Sequence, residues 1–157
     1  MRTFTLVSVA LLISLNTALG ARPNVGKLGE EVPRLGELEP KTETRCGTAV
    51  KKLDPVAPAD KAALYQKPGF TFEVQYQVKT GMAIDVKIYK NDHHDIQGCD
   101  ELVDASREFS SWKRDPDTPD FAHWTRQDGR AFADYHWDSH VLHIWRQEAD
   151  KLNKGTK

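Results

Sequence analysis

From Phe70 onward the chain alternates: Phe70, Phe72, Val74, Tyr76 and Val78 are separated by Thr71, Glu73, Gln75 and Gln77. A period of two puts the apolar residues on one side of an extended backbone, so the segment predicts a half-buried strand. After a turn at Thr80-Gly81, Met82, Ile84, Val86 and Ile88 alternate with Ala83, Asp85 and Lys87. The two runs predict an antiparallel hairpin whose polar face meets water or a ligand. Asn91 to Asp95 breaks the pattern, and Leu102, Ala105, Phe109 and Trp112 then recur at helical spacing. They predict a helix from Cys99 to Lys113 that covers the sheet. Pro116 and Pro119 make Arg114 to Asp120 a loop.

The remainder predicts three strands, Phe121 to Arg126, Arg130 to Trp137 and Val141 to Arg146. Asp128-Gly129 and Asp138-Ser139 are the turns between them. Upstream, Pro58 to Tyr65 predicts a short helix with proline in its first turn, ended by Pro68-Gly69. The expected fold is α+β: an antiparallel sheet, made of the hairpin plus a three-stranded meander, covered by one or two helices.

The ends change the domain picture. Arg2, an apolar run from Leu6 to Leu15 and the small residues before Ala21 have the form of a secretory signal peptide over residues 1–20. Residues 21–45 hold no aromatic side chain, three prolines and three glycines. They are expected to be a flexible leader or propeptide. One compact domain is expected over residues 46–150, followed by a frayed tail at 151–157. Without residues 1–20 the chain carries 21 Lys and Arg against 23 Asp and Glu, a balance with no overall basic footprint for nucleic acid or anionic membrane. The product is expected to be secreted and extracellular, to act as a monomer and to have no membrane partner.

The two cysteines, Cys46 and Cys99, are expected to pair, because secretion passes through an oxidising compartment. Two cysteines alone cannot complete a tetrahedral zinc site. No metal or other cofactor is expected.

Candidate chemistry centres on histidine. All six histidines fall between His93 and His143. On a strand, residues two apart share a face, so Asp134 and His136 point together. His143 lies on the next strand, and Arg126 and Arg130 flank the first turn. His136, Asp134 and His143 are therefore the candidate catalytic groups, with His123 a further base, for an acid–base reaction near neutral pH. Were the segment helical, His136, His140 and His143 could share a face as metal ligands, but its Trp, Val and Ile content favours strands. Trp124 and Trp137, with Arg126 and Arg130, are the candidate binding residues, able to stack on sugars or bases or to anchor a protein interface.

This layout resembles the small secreted candidate effectors of filamentous fungi, some of which resemble ribonucleases of the T1 type. The stretch Ala122 to His136, AHWTRQDGRAFADYH, is similar in spacing to the ribonuclease hairpin whose second strand ends in the acid histidine, here His136. The sequence departs from that family in having Phe121 at its arginine position and in lacking its usual disulfides. The resemblance implies a ribonuclease-like scaffold that has lost transesterification and binds RNA or a protein. The expected function is a secreted interaction protein, an effector in virulence that meets a host protein or RNA through a His/Trp-rich sheet surface, with onward entry into the host cell. The alternatives are a secreted ribonuclease-like hydrolase and a carbohydrate-binding module.

Overall fold

The structure is a computed structural model and describes residues 29–90, 96–108 and 110–147. The signal-peptide segment, His93, His94, Phe109 and the tail at 151–157 lie outside the described residues. In chain order the elements are α1 (Glu39–Cys46), β1 (Lys51–Leu53), β2 (Lys61–Lys67), β3 (Phe70–Gln77), β4 (Met82–Lys90), α2 (Ile96–Ala105), β5 (Trp112–Arg114), β6 (Phe121–Arg126), β7 (Ala131–His136) and β8 (Val141–Arg146). The fold is α+β. Its sheet has eight strands in the order β1-β2-β3-β4-β8-β7-β6-β5, every pair antiparallel.

The expected hairpin is β3–β4 and the expected meander is β6–β7–β8. Pairing of β4 with β8, Val86 opposite Ile144 and Ile88 opposite Leu142, fuses them into one sheet. β1, β2 and β5 extend it, so the sheet is larger than a hairpin plus a meander.

Alternation along each strand sorts side chains into two faces. Tyr65, Phe72, Val74, Tyr76, Val86, Ile88, Tyr135, Leu142 and Ile144 fill the inner face and are almost free of solvent. Each large apolar side chain buried in this way contributes about 1.5–3 kcal/mol. The Tyr65 and Tyr76 hydroxyls lie 3.0 Å apart and satisfy one another, and burial raises both phenols above their ordinary pKa. The helices sit on this face: Cys99, Leu102 and Val103 of α2 and Cys46 of α1 join its core.

Four expectations are corrected. Lys61 to Tyr65 belongs to strand β2, because Lys61 to Lys67 pairs with β3 residue by residue. Pro68-Gly69 is the hairpin turn, with Gly69 at φ +83°, where glycine is favoured. Helix α2 ends at Ala105, so Trp112 lies half-buried on the edge strand β5, opposite Arg126.

The leader does not end at residue 45. Val32 and Leu35 are each 1% exposed, and Gly36 N–H donates to Ala83 O at 2.7 Å while Ala83 N–H donates to Glu37 O at 2.9 Å. Pro40 sits in the first turn of α1, where its missing N–H costs nothing. The packed unit therefore includes residues that precede Cys46 by more than a helix length.

Cys46 and Cys99 are both buried, and no disulfide joins them. Cys46 ends α1, which contacts β2, whereas α2 is tied to β6 by Trp124 Nε1–H donating to Asp100. β2 and β6 are five strand spacings apart in the sheet order. Cys46 Sγ donates instead to Glu31 O at 3.6 Å. Among the described residues no helix is long and apolar enough to cross a membrane.

Candidate functional site

The outer face of β6, β7, β8 and β4 carries the candidate chemistry. Cross-strand register lays three rows over it. The central row runs His123, Asp134, His143, Lys87. One flanking row runs Thr125, Phe132, Trp145, Asp85, and the other Phe121, His136, Val141, Tyr89. Directly opposed side chains on one face have Cβ atoms about 4.5–5.5 Å apart, close enough for each row to act as a contact chain.

Two histidines are held by carboxylates. His123 Nδ1 pairs with Asp134 Oδ1, and its Nε2 lies 3.3 Å from Thr125 Oγ1, which itself donates to Asp115 Oδ2 at 2.9 Å. Both nitrogens of this ring are engaged. His143 Nε2 lies 2.8 Å from Asp85 Oδ2, and its ring stacks on Trp145 with centroids 4.6 Å apart. Asp85 Oδ1 is buried without a partner among the described residues. A pocket of about 170 Å³ opens beside this pair, between the 56–59 loop and Gln75, Asp85, Lys87 and His143. On the same face, burial and then the Glu73 carboxylate push the Tyr89 phenol up to about 12.

The aromatic rings form one connected series. His136 tilts against Phe121 (5.9 Å), Phe121 meets His123 edge to face (6.3 Å), His123 stacks on Phe132 (6.1 Å), and Phe132 tilts against Trp145 (5.9 Å), which stacks on His143. Six rings from three strands thus contact one another in a continuous series, two of the contacts stacked and the others tilted or edge to face.

The sequence-derived candidates separate accordingly. Asp134 and His143 are direct cross-strand partners, and His136 shares their face as its exposed outer member. Arg126 and Trp124 do not share it, because they have the parity of the inward-facing Ala122. Trp124 is 2% exposed and is not a stacking platform. Arg126 is buried between Glu108 and Asp128. Arg130 is exposed beyond the end of β6, and Trp137 packs edge-on against Tyr135, its Nε1–H donating to Thr118 O at 3.3 Å. The four candidate binding residues therefore form no common surface.

His140 lies in the β7–β8 turn at φ +54°, its Nδ1 3.0 Å from the Tyr135 hydroxyl. Strand, turn and strand separate it from His136 and His143, and among the described residues no group of three or more His, Cys, Asp or Glu is arranged to hold a metal. Sequence reasoning missed Asp85, Phe132 and Trp145 as site members. Strand parity was the available signal, since Phe132 alternates with Asp134 and Trp145 with His143.

No family model matches the chain, and no curated protein matches it. Among solved structures it is similar to a DUF4309 family protein (YjgB) from Bacillus subtilis subsp. subtilis str. 168, with a TM-score of 0.38 and 9% identity over 78% of this chain and 93% of that one. The geometry of the face is therefore what bears on function.

Proposed function

We propose that the protein is a secreted interaction protein that binds a protein partner through the outer face of β6, β7, β8 and β4. The resemblance to fungal effectors makes a host protein the partner. The supporting observation is the laterally packed series of six rings, threaded by the two Asp–His pairs. Aromatic rings offer both apolar area and weakly positive edges, and the edges suit the carbonyl and carboxylate oxygens of a protein surface. Each is held by its neighbours, so little side-chain entropy is lost on contact.

A sugar would need open ring faces, and Trp124, one of the two tryptophans required for that role, is sealed in the core. A carbohydrate-binding module is therefore not proposed. The decisive experiment uses a partner captured and identified with the full chain, then titrated directly. Trp145→Asp and Phe132→Asp are each expected to weaken binding at least about tenfold, as for central interface residues, while Val78→Ala, at a residue 63% exposed outside the face, leaves it unchanged. Equal binding by all three variants would remove the face from the interaction.

A secreted hydrolase of ribonuclease type is the second reading, supported by one observation. His143 has a carboxylate on one nitrogen and opens on a pocket that also holds Lys87, an arrangement suited to a general base beside a charge-stabilising cation. Cleavage of total RNA that is lost in His143→Ala and retained in His136→Ala is the outcome expected of that site. Absence of cleavage by the folded wild type would discard it.

A further inference from the structure

A second concave surface lies at the end of the sheet where β4 begins and β6 and β8 end. It is a groove of about 1110 Å³ between the 34–45 segment, the C-terminal end of α2 and the β6–β7 turn. Seven arginine and lysine side chains line it against three carboxylates, in a chain whose formal net charge is −1. We infer that this groove binds a compact, multiply charged oxyanion ligand of the phosphate- or sulfate-ester class.

Each of the three carboxylates is paired with a wall arginine, with Glu37 Oε2 left buried and without a partner among the described residues. Glu108 takes Arg126 on Oε2 and Arg146 on Oε1, the latter at 2.6 Å, while Asp128 takes Arg126 at 2.9 Å and Glu37 takes Arg45 at 2.7 Å. Arg126, 5% exposed in its side chain, is part of the wall and not a contact for a ligand. Four cations remain toward the groove. Lys41 and Arg130 are exposed and have no ion-pair partner among the described residues, Arg107 has only an exposed Asp104 at 3.9 Å, and Arg34 is bonded to a backbone carbonyl, Gly29 O. Arg146 adds a directional donor, since its Nε–H is buried in the wall with no acceptor among the described residues. A buried donor left in this state favours any ligand that brings an oxygen to it.

The arrangement is fixed by the backbone. A Cβ on Gly36 would lie 1.6 Å from Glu108 Oε1 and 2.8 Å from Arg146 Nη2, so any side chain there would displace the clamp, and its φ of +78° favours glycine as well. Glu108 itself is at φ +50°, a left-handed conformation that a non-glycine residue adopts only when its surroundings hold it there. Such positions cluster at ligand clamps.

The lining also limits the ligand. Among the described residues the groove is lined by no aromatic side chain, and its guanidinium forks select oxyanions by geometry as well as charge. The volume lies just above the small-molecule range of roughly 300–1,000 Å³, so it has room for a ligand with several charged groups. The groove shares no lining residue with the ring series, so the two surfaces can be tested separately.

Isothermal titration of the full chain with inorganic tripolyphosphate, and in parallel with a sulfated disaccharide, tests the inference. At least one probe is expected to bind, with affinity falling as salt rises. Lys41→Gln combined with Arg130→Gln is expected to weaken it about tenfold or more with unchanged thermal stability, while Lys52→Gln combined with Lys79→Gln, both exposed elsewhere, leaves it intact. Tripolyphosphate binding alone assigns a phosphate ester, and disaccharide binding alone a sulfated glycan fragment. No heat from either probe, or equal losses in the two double variants, would overturn the inference.

Discussion

His123 and Asp134 face each other across β6 and β7, Nδ1 against Oδ1, with side chains 27% and 18% exposed. A charge-assisted pair so placed is stronger than a surface salt bridge, because water screens it only in part. Asp134→Asn is expected to lower stability by about 1–2 kcal/mol in urea unfolding. His136→Ala, at the exposed edge of the same face, is expected to stay within about 0.5 kcal/mol of the wild type. Equal effects at the two positions would contradict the assignment of His123, not His136, as the anchored ring.

Val32 and Leu35 decide where the folded unit starts. Both are buried to 1% exposure, so Leu35→Ala is expected to cost about 2–5 kcal/mol by chemical denaturation. A chain beginning at Cys46 is expected to lack cooperative unfolding. An unchanged midpoint in Leu35→Ala would return this segment to the status of a flexible leader.

Cys46 gives an alkaline signature. Burial pushes its thiol up to about 12, from an ordinary value near 9. Its neutral form is thus favoured by folding: the stabilisation is full below pH 9 and is lost as pH rises from 9 toward 12. The wild type is expected to lose stability over that window more steeply than Cys46→Ala. Two thiols per chain are expected to react after denaturation without reductant, and almost none in the folded protein at pH 8. A count of zero would show that the cysteines pair.

Asp128 gives the acid counterpart. The Arg126 guanidinium that bonds it holds its carboxyl below the usual range. Its contribution is present above the ordinary carboxylate pKa and disappears as pH falls through the lower folded value. The stability difference between wild type and Asp128→Asn is expected to shrink between pH 5 and pH 2. A difference that stays constant would contradict the pairing.

Much of the sheet was legible in the sequence because its signals are local. Alternation located β3 and β4, and Asp128-Gly129 separated β6 from β7 at nearly the observed boundaries. β2 was misread because Ala62, Ala63 and Leu64 have helical preference, whereas pairing with all of β3 decides the structure. The β4–β8 joint was invisible, since residues 85–89 and 141–145 are brought together only by the whole fold. At the site, strand parity already placed Asp134 with His136 and would have excluded Arg126. The partners Asp85 and Trp145 depended on register between distant strands, which no local pattern specifies.

The most direct test of the proposed interaction face is hydroxyl-radical footprinting of aromatic side chains, with and without the captured partner. Phe121, Phe132 and Trp145 are half-buried, so each is expected to react in the free protein and to be protected in the complex. Protection of these three, with Trp137 unchanged, is the expected result. Unchanged reactivity at all three in a saturated complex would place the contact elsewhere and contradict the account.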